Sequence, residues 1–282
     1  MAQNSTEVIE NRNSIGNNES INGDGSKSTL NGMIGKEKFE CEKSGLPIQS
    51  LNCPNGIYEE SQKIIESIFT LTTEKTSKVI GFVSSKPLEG TTTIASIISL
   101  MILKRQNGYF DPYFKMQTHE NFNKIENNNI ILIDTQIKHP SLHNFFTLSI
   151  KPGLYEFLNN GINYDKIIRE TYFANLKLIT SGDMNNYRFS TADFDKLNVL
   201  LNNLRKQFEL VFIDIPPLLQ YSEGIALSRL CDSIILVVRA NKTKHEIINE
   251  AKNLLNNAKV NILGLILNRR RFFIPNIIYN RL

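Results

Sequence analysis

A short polar stretch, residues 85–93, has the residue types that bind phosphate groups. It follows the mostly apolar run Val79–Val83 and leads through Gly90 into three threonines and an apolar segment of helical length. A strand, a glycine-containing loop and a helix N-terminus together present backbone N–H groups to a phosphate. The usual phosphate loop reads G-x-x-x-x-G-K-[ST], in which the lysine contacts the β- and γ-phosphates and the hydroxyl binds magnesium. Gly90 and Thr92 match this pattern, but Thr91 stands at the lysine position. The stretch therefore indicates a phosphate loop that lacks its cation.

Two aspartates strengthen this interpretation. Asp134 ends the apolar run Ile130–Ile133, and Asp214 ends the run Leu210–Ile213. The carboxyl ends of parallel strands meet at one edge of an open sheet, which is where such sheets bind ligands. We therefore expect both carboxylates near Thr92, where two aspartates and a hydroxyl would suit hydrated magnesium on a nucleotide. The alternative is structural: a Ser/Thr-rich turn that caps a buried helix, and aspartates that act as N-caps or loop carboxylates.

Strand-like and helix-length segments alternate along the rest of the chain. Apolar runs predict strands at Val79–Val83, Ile130–Ile133, Leu176–Thr180, Leu210–Ile213, Ile234–Val238 and Ile262–Leu267. Helices are predicted at Ile57–Leu71, Ile94–Leu103, from Tyr155 onward, and at Ala192–Lys206, Glu223–Leu230 and Lys244–Asn257. Continuous Ile/Leu/Val strands that alternate with helices predict a three-layer α/β fold, a parallel sheet with helices on both faces. Residues 104–129 lack a clear period and are interpreted as an insertion.

Length and composition set the outer limits of the protein. The 282 residues suffice for one α/β domain, assigned to residues 51–282 with a short basic C-terminal tail. Residues 1–50 are rich in Asn, Ser, Gly and Glu, and we expect them to be disordered. The net charge of +4 is too small to indicate a nucleic-acid partner.

The sequence favours a cytoplasmic location. Its three cysteines have neither metal-ligand nor paired spacing, which is typical of a reducing compartment. No signal sequence opens the chain, and no apolar run approaches the ~20 residues that a membrane helix needs. Peripheral attachment at the inner face of the plasma membrane, through a membrane protein, stays open.

Four sequence blocks resemble the bacterial tyrosine kinases (BY-kinases) of capsular and exopolysaccharide synthesis, a branch of the MinD/ParA-like P-loop ATPases. V-S-S-K-P-L-E-G-T-T-T resembles the family's loop S-x-x-P-G-E-G-K-T-T, and I-L-I-D-T-Q-I-K-H-P resembles L-L-I-D-x-D-x-R-x-P. F-E-L-V-F-I-D-I-P-P resembles the family's Walker B segment. D-S-I-I-L-V-V-R-A-N-K-T with I-L-G-L-I-L-N resembles its last two strands.

The resemblance implies a P-loop NTPase fold, ATP and Mg as cofactors, and a membrane-embedded polysaccharide chain-length or co-polymerase protein as partner. It also leaves a homo-oligomer open and implies no nucleic-acid partner. The nucleotide-binding residues that it implies are Ser85, Glu89, Gly90, Thr91, Thr92, Thr93 and Asn268. It implies Thr92, Asp134 and Asp214 as metal ligands, Asp134 and Asp214 as catalytic residues if the protein is active, and Tyr279 as the autophosphorylation candidate.

The departures from the family pattern fall almost wholly on catalytic positions. Thr91 replaces the phosphate-binding lysine, Leu88 replaces a loop glycine, and Gln136 replaces a second aspartate. Tyr279 stands alone where the family has a tyrosine cluster. The assembly pattern E-x-x-R-x-x-R is represented by Glu60, Lys63 and Glu66. Losing one preorganised donor to developing charge typically costs about 3–4 kcal/mol, so we expect phosphoryl transfer to be weak or absent.

Three interpretations stay open. The first is a degenerate BY-kinase-like protein, a pseudo-kinase that binds ATP without efficient turnover and regulates polysaccharide synthesis. The second is an active tyrosine autokinase in which Lys86 or Lys138 supplies the missing charge, with Lys86 preferred because it lies within the loop. The third is a MinD/ParA-like positioning ATPase whose basic residues Arg269–Arg271 and Arg281 touch lipid or DNA. The alternative for that basic cluster is a solvated surface.

Overall fold

The computed structural model describes residues 55–72, 77–106, 129–136, 138–183 and 187–269. Several predictions from the sequence lie outside these residues: the tail 1–50, most of the insertion 104–129, and the C-terminal end with Tyr279, Arg270, Arg271 and Arg281.

Seven strands form one sheet in the order β3-β4-β2-β5-β1-β6-β7. Their bounds are β1 Lys78–Ser84, β2 Ile130–Asp134, β3 Arg169–Glu170, β4 Leu176–Ile179, β5 Leu210–Asp214, β6 Ser233–Arg239 and β7 Ile262–Asn268. Every neighbouring pair is parallel except β3 and β4, which are antiparallel. The predicted parallel sheet is thus confirmed for six strands. The edge strand β3 was not predicted, because two residues are too few to show a period of two.

Seven α-helices accompany the sheet in the described part of the chain. They are α1 Asn55–Thr72, α2 Thr91–Gln106, α3 Leu142–Phe145, α4 Leu154–Asn160, α5 Thr191–Leu204, α6 Glu223–Ser228 and α7 His245–Asn257, with a 3₁₀ turn at Tyr164–Lys166. All the predicted helices are present, and α3 is an addition. None of the helices in the described segments is long and apolar enough to cross a membrane.

Both faces of the sheet are buried, which explains the continuous apolar strands. Successive strand residues point to opposite faces, so Val79 and Val83 pack in one apolar cluster while Ile80 and Phe82 pack in the other. The first cluster also contains side chains of α4, α5, α6 and α7, and the second contains those of α1 and α2. The predicted three-layer arrangement is therefore confirmed.

The strand register brings the predicted site residues to one edge. Strand β1 lies between β5 and β6, and β5 lies between β1 and β2. Asp134 and Asp214 are direct partners in the parallel pair β2–β5. Neighbouring strands lie about 4.8 Å apart, so the two aspartates end side by side, next to the loop that leaves β1. This convergence confirms the placement predicted from the strand ends.

Candidate functional site

The loop between β1 and α2 folds around the carboxylate of Glu89. This side chain is buried, with the residue 2% exposed. Its Oε2 accepts hydrogen bonds from the Ser85 hydroxyl (2.9 Å) and from the backbone N–H of Lys86 (3.0 Å). Its Oε1 accepts one from the hydroxyl of Thr243, which lies after β6. Glu89 therefore holds the loop closed from within and ties it to the β6–α7 connection.

Asn268 supports the end of the same loop. Its side-chain Nδ2 donates to the backbone oxygen of Glu89 at 2.8 Å, and the residue is 3% exposed. Gly90 has φ +92°, and a Cβ on it would lie 2.2 Å from Asn268 Nδ2. Glycine is required here both by the backbone conformation and by the close approach of the amide. The structure thus assigns the Asn268 amide to the loop backbone, whereas the resemblance implied a nucleotide contact.

Leu88 has a backbone conformation that favours glycine, the residue of the family pattern at this position. Its φ is +64°, in the left-handed region that favours glycine. The side chain is 80% exposed at the mouth of the cleft described below. The leucine is therefore accommodated with its side chain pointing toward solvent.

Thr91 fills the lysine position with a neutral, inward-facing side chain. The residue is 6% exposed, and its hydroxyl donates to Ser84 Oγ at 3.3 Å. The Ser84 hydroxyl donates in turn to the backbone oxygen of Lys86 at 2.9 Å. Thr91 also begins α2, and the first N–H groups of a helix have no acceptor within the helix. The position thus offers a phosphate backbone donors but no cation.

Asp134 and Asp214 are both completely buried. Asp134 accepts hydrogen bonds from the backbone N–H groups of Gln136 (2.9 Å) and Leu142 (3.3 Å). Asp214 accepts them from the Thr92 hydroxyl (2.5 Å) and from the Gln136 side-chain amide (3.2 Å). Every carboxylate oxygen of the pair therefore has a hydrogen-bond donor.

Burial dominates the electrostatics of this aspartate pair. Desolvation, and then the neighbouring charge of Asp214, raise the pKa of Asp134 to about 8. Desolvation also raises the pKa of Asp214 to about 6, against the opposing hydrogen bonds from Thr92 and Gln136. Two carboxyl groups side by side in the protein interior favour the protonated form of at least one of them.

This geometry does not fit the magnesium site predicted at Thr92, Asp134 and Asp214. Neither aspartate lines the cleft or has exposed surface, and the Gln136 amide and the Thr92 hydroxyl already bond the two carboxylate oxygens of Asp214. Within the described segments, no group of three or more His, Cys, Asp or Glu side chains is arranged to hold a metal ion. The predicted ligands do converge, but Thr92 donates to Asp214, and backbone N–H groups donate to Asp134.

A cleft of about 310 Å³ opens at this edge of the sheet. It is lined by Ser84, Pro87, Leu88, Gly90, Thr91, Thr92, Thr93, Gln136, Lys138, His139, Ser141, Pro216, Pro217, Tyr221, Glu223 and Arg269. Clefts of about 300–1,000 Å³ are typical of small-molecule sites. Its basic groups, Lys138, His139 and Arg269, are exposed, and Glu223 is its one carboxylate among the described residues. An anion bound here would meet the N-terminus of α2 together with these side chains.

The predicted site residues fall into three groups. Gly90, Thr91, Thr92 and Thr93 line the cleft. The second group hydrogen-bonds within or to the loop without lining the cleft, and consists of Ser85, Glu89 and Asn268. The third group is the buried pair at the ends of β2 and β5, Asp134 and Asp214. Lys138 lines the cleft whereas Lys86 is exposed outside it, so the geometry favours Lys138 as a substitute cation, contrary to the preference from sequence.

Two contributors were missed from the sequence. Thr243, which binds Glu89, ends the block D-S-I-I-L-V-V-R-A-N-K-T but carries no signal of its own. Arg269 was assigned to a basic surface cluster, whereas its side chain lines the cleft. Its position directly after Asn268, at the carboxyl end of β7, was the available signal.

Comparison with known proteins confirms the sequence resemblance. No family model matches the chain. The chain is 29% identical over 139 residues to the tyrosine-protein kinase ptk of Acinetobacter johnsonii, covering 49% of this chain and 19% of that protein. It is 27% identical over 139 residues to the putative tyrosine-protein kinase CapB of Staphylococcus aureus, covering 49% of this chain and 61% of that protein. The aligned part thus spans less than two thirds of either relative.

Solved structures confirm the fold. The kinase domain of the Escherichia coli tyrosine kinase ETK superposes with a TM-score of 0.66 at 19% identity, covering 85% of this chain and 88% of that one. The septum site-determining protein MinD of Pyrococcus horikoshii, complexed with Mg-ADP, gives a TM-score of 0.53 at 19% identity, covering 73% and 76%. The chain therefore has the α/β fold of the P-loop NTPases and has bacterial tyrosine kinases as its relatives.

Proposed function

We propose that this protein is a degenerate relative of the bacterial tyrosine kinases that binds an adenine nucleotide in the cleft, turns it over weakly, and regulates capsular or exopolysaccharide synthesis. The observation that carries the proposal is the neutral, buried side chain at position 91 of the phosphate loop. Thr91 lies in the phosphate loop with its hydroxyl bonded to Ser84, so no cation projects from this position into the cleft.

The predicted loss of turnover follows from how phosphoryl transfer is catalysed. The reaction depends mainly on positioning and on stabilising the charge of the transferred group. Removing one preorganised donor typically costs about 3–4 kcal/mol, or a factor of about 10²–10³ in rate. Ground-state binding depends less on the missing lysine, because the α2 N-terminus, Lys138 and Arg269 still border the cleft.

The cellular role is proposed from the relatives. They are named as tyrosine-protein kinases, and a regulatory role would place this protein in the cytoplasm at the inner face of the plasma membrane. Its partner would be a membrane-embedded polysaccharide co-polymerase. Lys63 and Glu66 of α1 are exposed and available for assembly into a homo-oligomer.

The test compares nucleotide binding with turnover on one sample. Calorimetry should detect binding of ATP, while ATP hydrolysis and autophosphorylation stay close to background with magnesium present. Thr91→Lys should tighten ATP binding by about 1–3 kcal/mol, because it adds a charge-assisted contact to phosphate. Thr191→Lys is the matched control, since Thr191 is the first residue of α5, away from the cleft. Absence of ATP binding, or equal gains in both variants, would contradict the proposal.

A second candidate function is an active tyrosine autokinase with a relocated cation. The position of Lys138 on the cleft wall favours it. Under this alternative the unmodified protein hydrolyses ATP briskly, Lys138→Ala abolishes the activity, and Lys86→Ala leaves it unchanged because Lys86 lies outside the cleft. No observation on the described residues favours a positioning ATPase that binds lipid or DNA, since Arg269 faces the cleft.

A further inference from the structure

The side-chain amide of Gln136 lies beside Asp214, at the end of β5. Its amide Nε2 donates to Asp214 Oδ1 at 3.2 Å and to the backbone oxygen of Ile215 at 3.1 Å. Both N–H bonds of the amide are thereby directed at the end of β5. The residue also lines the cleft, so it stands between the ligand space and Asp214.

Two hydroxyl groups make further hydrogen bonds to Asp214. The Thr92 hydroxyl donates to Oδ2, and the Thr135 hydroxyl donates to the Asp214 backbone oxygen at 2.6 Å. A buried carboxylate needs either a cation or a full set of donors. Thr92 and Gln136 supply donors to both carboxylate oxygens, so Asp214 is satisfied without a metal.

The cleft has its own source of positive charge. Lys138, His139 and Arg269 line it, against the single carboxylate of Glu223 among the described residues. Phosphate groups can be bound by such side chains and by the N–H groups of a helix N-terminus without a bridging ion.

We propose that Gln136 replaces a divalent cation beside Asp214, so that the cleft binds phosphate-bearing ligands independently of metal. The ligand class rests on the nucleotide binding proposed above, whereas the exclusion of metal by Gln136 rests on the contacts of its amide alone. Gln136 is a positioning residue in this arrangement: it acts on Asp214 and on the end of β5.

The first experiment tests the metal without any nucleotide. Gln136→Glu is isosteric but replaces the donating amide with a carboxylate beside Asp214, and a cation can reach this carboxylate because residue 136 lines the cleft. Mn²⁺ binding is measured by electron paramagnetic resonance, and the melting temperature is measured with Mn²⁺ and with EDTA. The unmodified protein should bind no Mn²⁺ specifically and should melt at the same temperature in both media. Gln136→Glu should melt lower in EDTA and recover with Mn²⁺.

Two further variants make this result decisive. Gln136→Asp, whose side chain is one methylene shorter, should also gain Mn²⁺ affinity, by about tenfold or more. This variant takes the place of Gln136→Glu if Gln136→Glu does not fold. Gln220→Glu is the matched control, because this substitution makes the same change in charge at an exposed residue next to the cleft residue Tyr221. It should gain no Mn²⁺ affinity. Specific Mn²⁺ binding by the unmodified protein would overturn the proposal, and so would failure of both Gln136 variants to gain it.

The second experiment tests the ligand. The dissociation constant of a fluorescent ATP analogue is measured with magnesium and with EDTA. We expect the two values for the unmodified protein to agree within about twofold, a free-energy difference of about 0.4 kcal/mol. A binding signal that requires magnesium would overturn the metal-independent site. Absence of binding in both media would instead refute the nucleotide function, while the Mn²⁺ measurements would still decide the role of Gln136.

Discussion

Gly90→Ala should destabilise the protein through two separable effects. The first is backbone strain: Gly90 has φ +92°, and the left-handed conformation costs a residue with a Cβ about 1–2 kcal/mol in stability. The second is displacement of Asn268, whose Nδ2 would lie 2.2 Å from the new Cβ. Moving that amide leaves the buried backbone oxygen of Glu89 without its hydrogen-bond donor, at a cost of about 1–3 kcal/mol in stability. The expected total is a loss of about 2–5 kcal/mol in the free energy of unfolding.

Gly161→Ala is the control for the strain alone. Gly161 has φ +66° at the C-terminus of α4, and a Cβ there would meet no atom within 4 Å. Its substitution should cost only the strain of about 1–2 kcal/mol. The excess cost of Gly90→Ala over Gly161→Ala therefore measures the displacement of Asn268.

A double-mutant cycle identifies the group that is displaced. Asn268→Ala removes the same hydrogen bond and should cost about 1–3 kcal/mol by itself. In the Gly90→Ala/Asn268→Ala variant the clash is absent and the bond is lost only once. The double variant should therefore be more stable than the sum of the single effects by about 1–3 kcal/mol.

Urea unfolding followed by circular dichroism provides all four free energies, provided that the dependence on urea is the same in each variant. A coupling energy within about 0.5 kcal/mol of zero would show independent sites and refute the contact between Gly90 and Asn268. Equal losses for Gly90→Ala and Gly161→Ala would refute it as well.

Three further predictions concern the loop, the buried aspartates and the far end of β1. Leu88→Gly should leave stability unchanged or raise it by up to about 1 kcal/mol, because relief of the φ +64° strain offsets the added chain entropy; a clear loss in urea unfolding would contradict this. Burial raises the pKa of Asp134 to about 8, so folding favours its protonated form, and this contribution to stability is complete below about pH 4 and is lost as the pH rises to about 8. Asp134→Asn should flatten the fall in unfolding free energy over that range, and an unchanged slope would show that Asp134 does not titrate there. Arg205→Lys should cost about 1 kcal/mol, because lysine cannot reproduce the two bonds (2.7 and 2.8 Å) that the guanidinium donates to Asp232; a melting temperature equal to that of the unmodified protein would refute this.

The sequence alone determined the fold and the edge of the sheet at which the site lies. Strands buried on both faces are continuously apolar, so β1, β2, β4, β5, β6 and β7 could be read from composition and length. Parallel strands end at one edge, so Gly90, Asp134 and Asp214 could be brought together without coordinates. The replacement of the phosphate-loop lysine by Thr91 was likewise evident from the sequence.

Only the tertiary structure decided what those side chains do. Gln136 and Asp214 are 78 residues apart, and Asn268 and Glu89 are 179 apart. The sequence predicted two aspartates ready for a metal, but the fold supplies hydrogen-bond donors to all their oxygens. For the alternative of an active kinase, the sequence favoured Lys86 over Lys138 as the substitute cation, whereas the path of the chain after β2 brings Lys138 to the cleft. Local periodicity reports which face of an element is buried, but hydrogen-bond partners depend on directions and distances that arise only when remote segments pack.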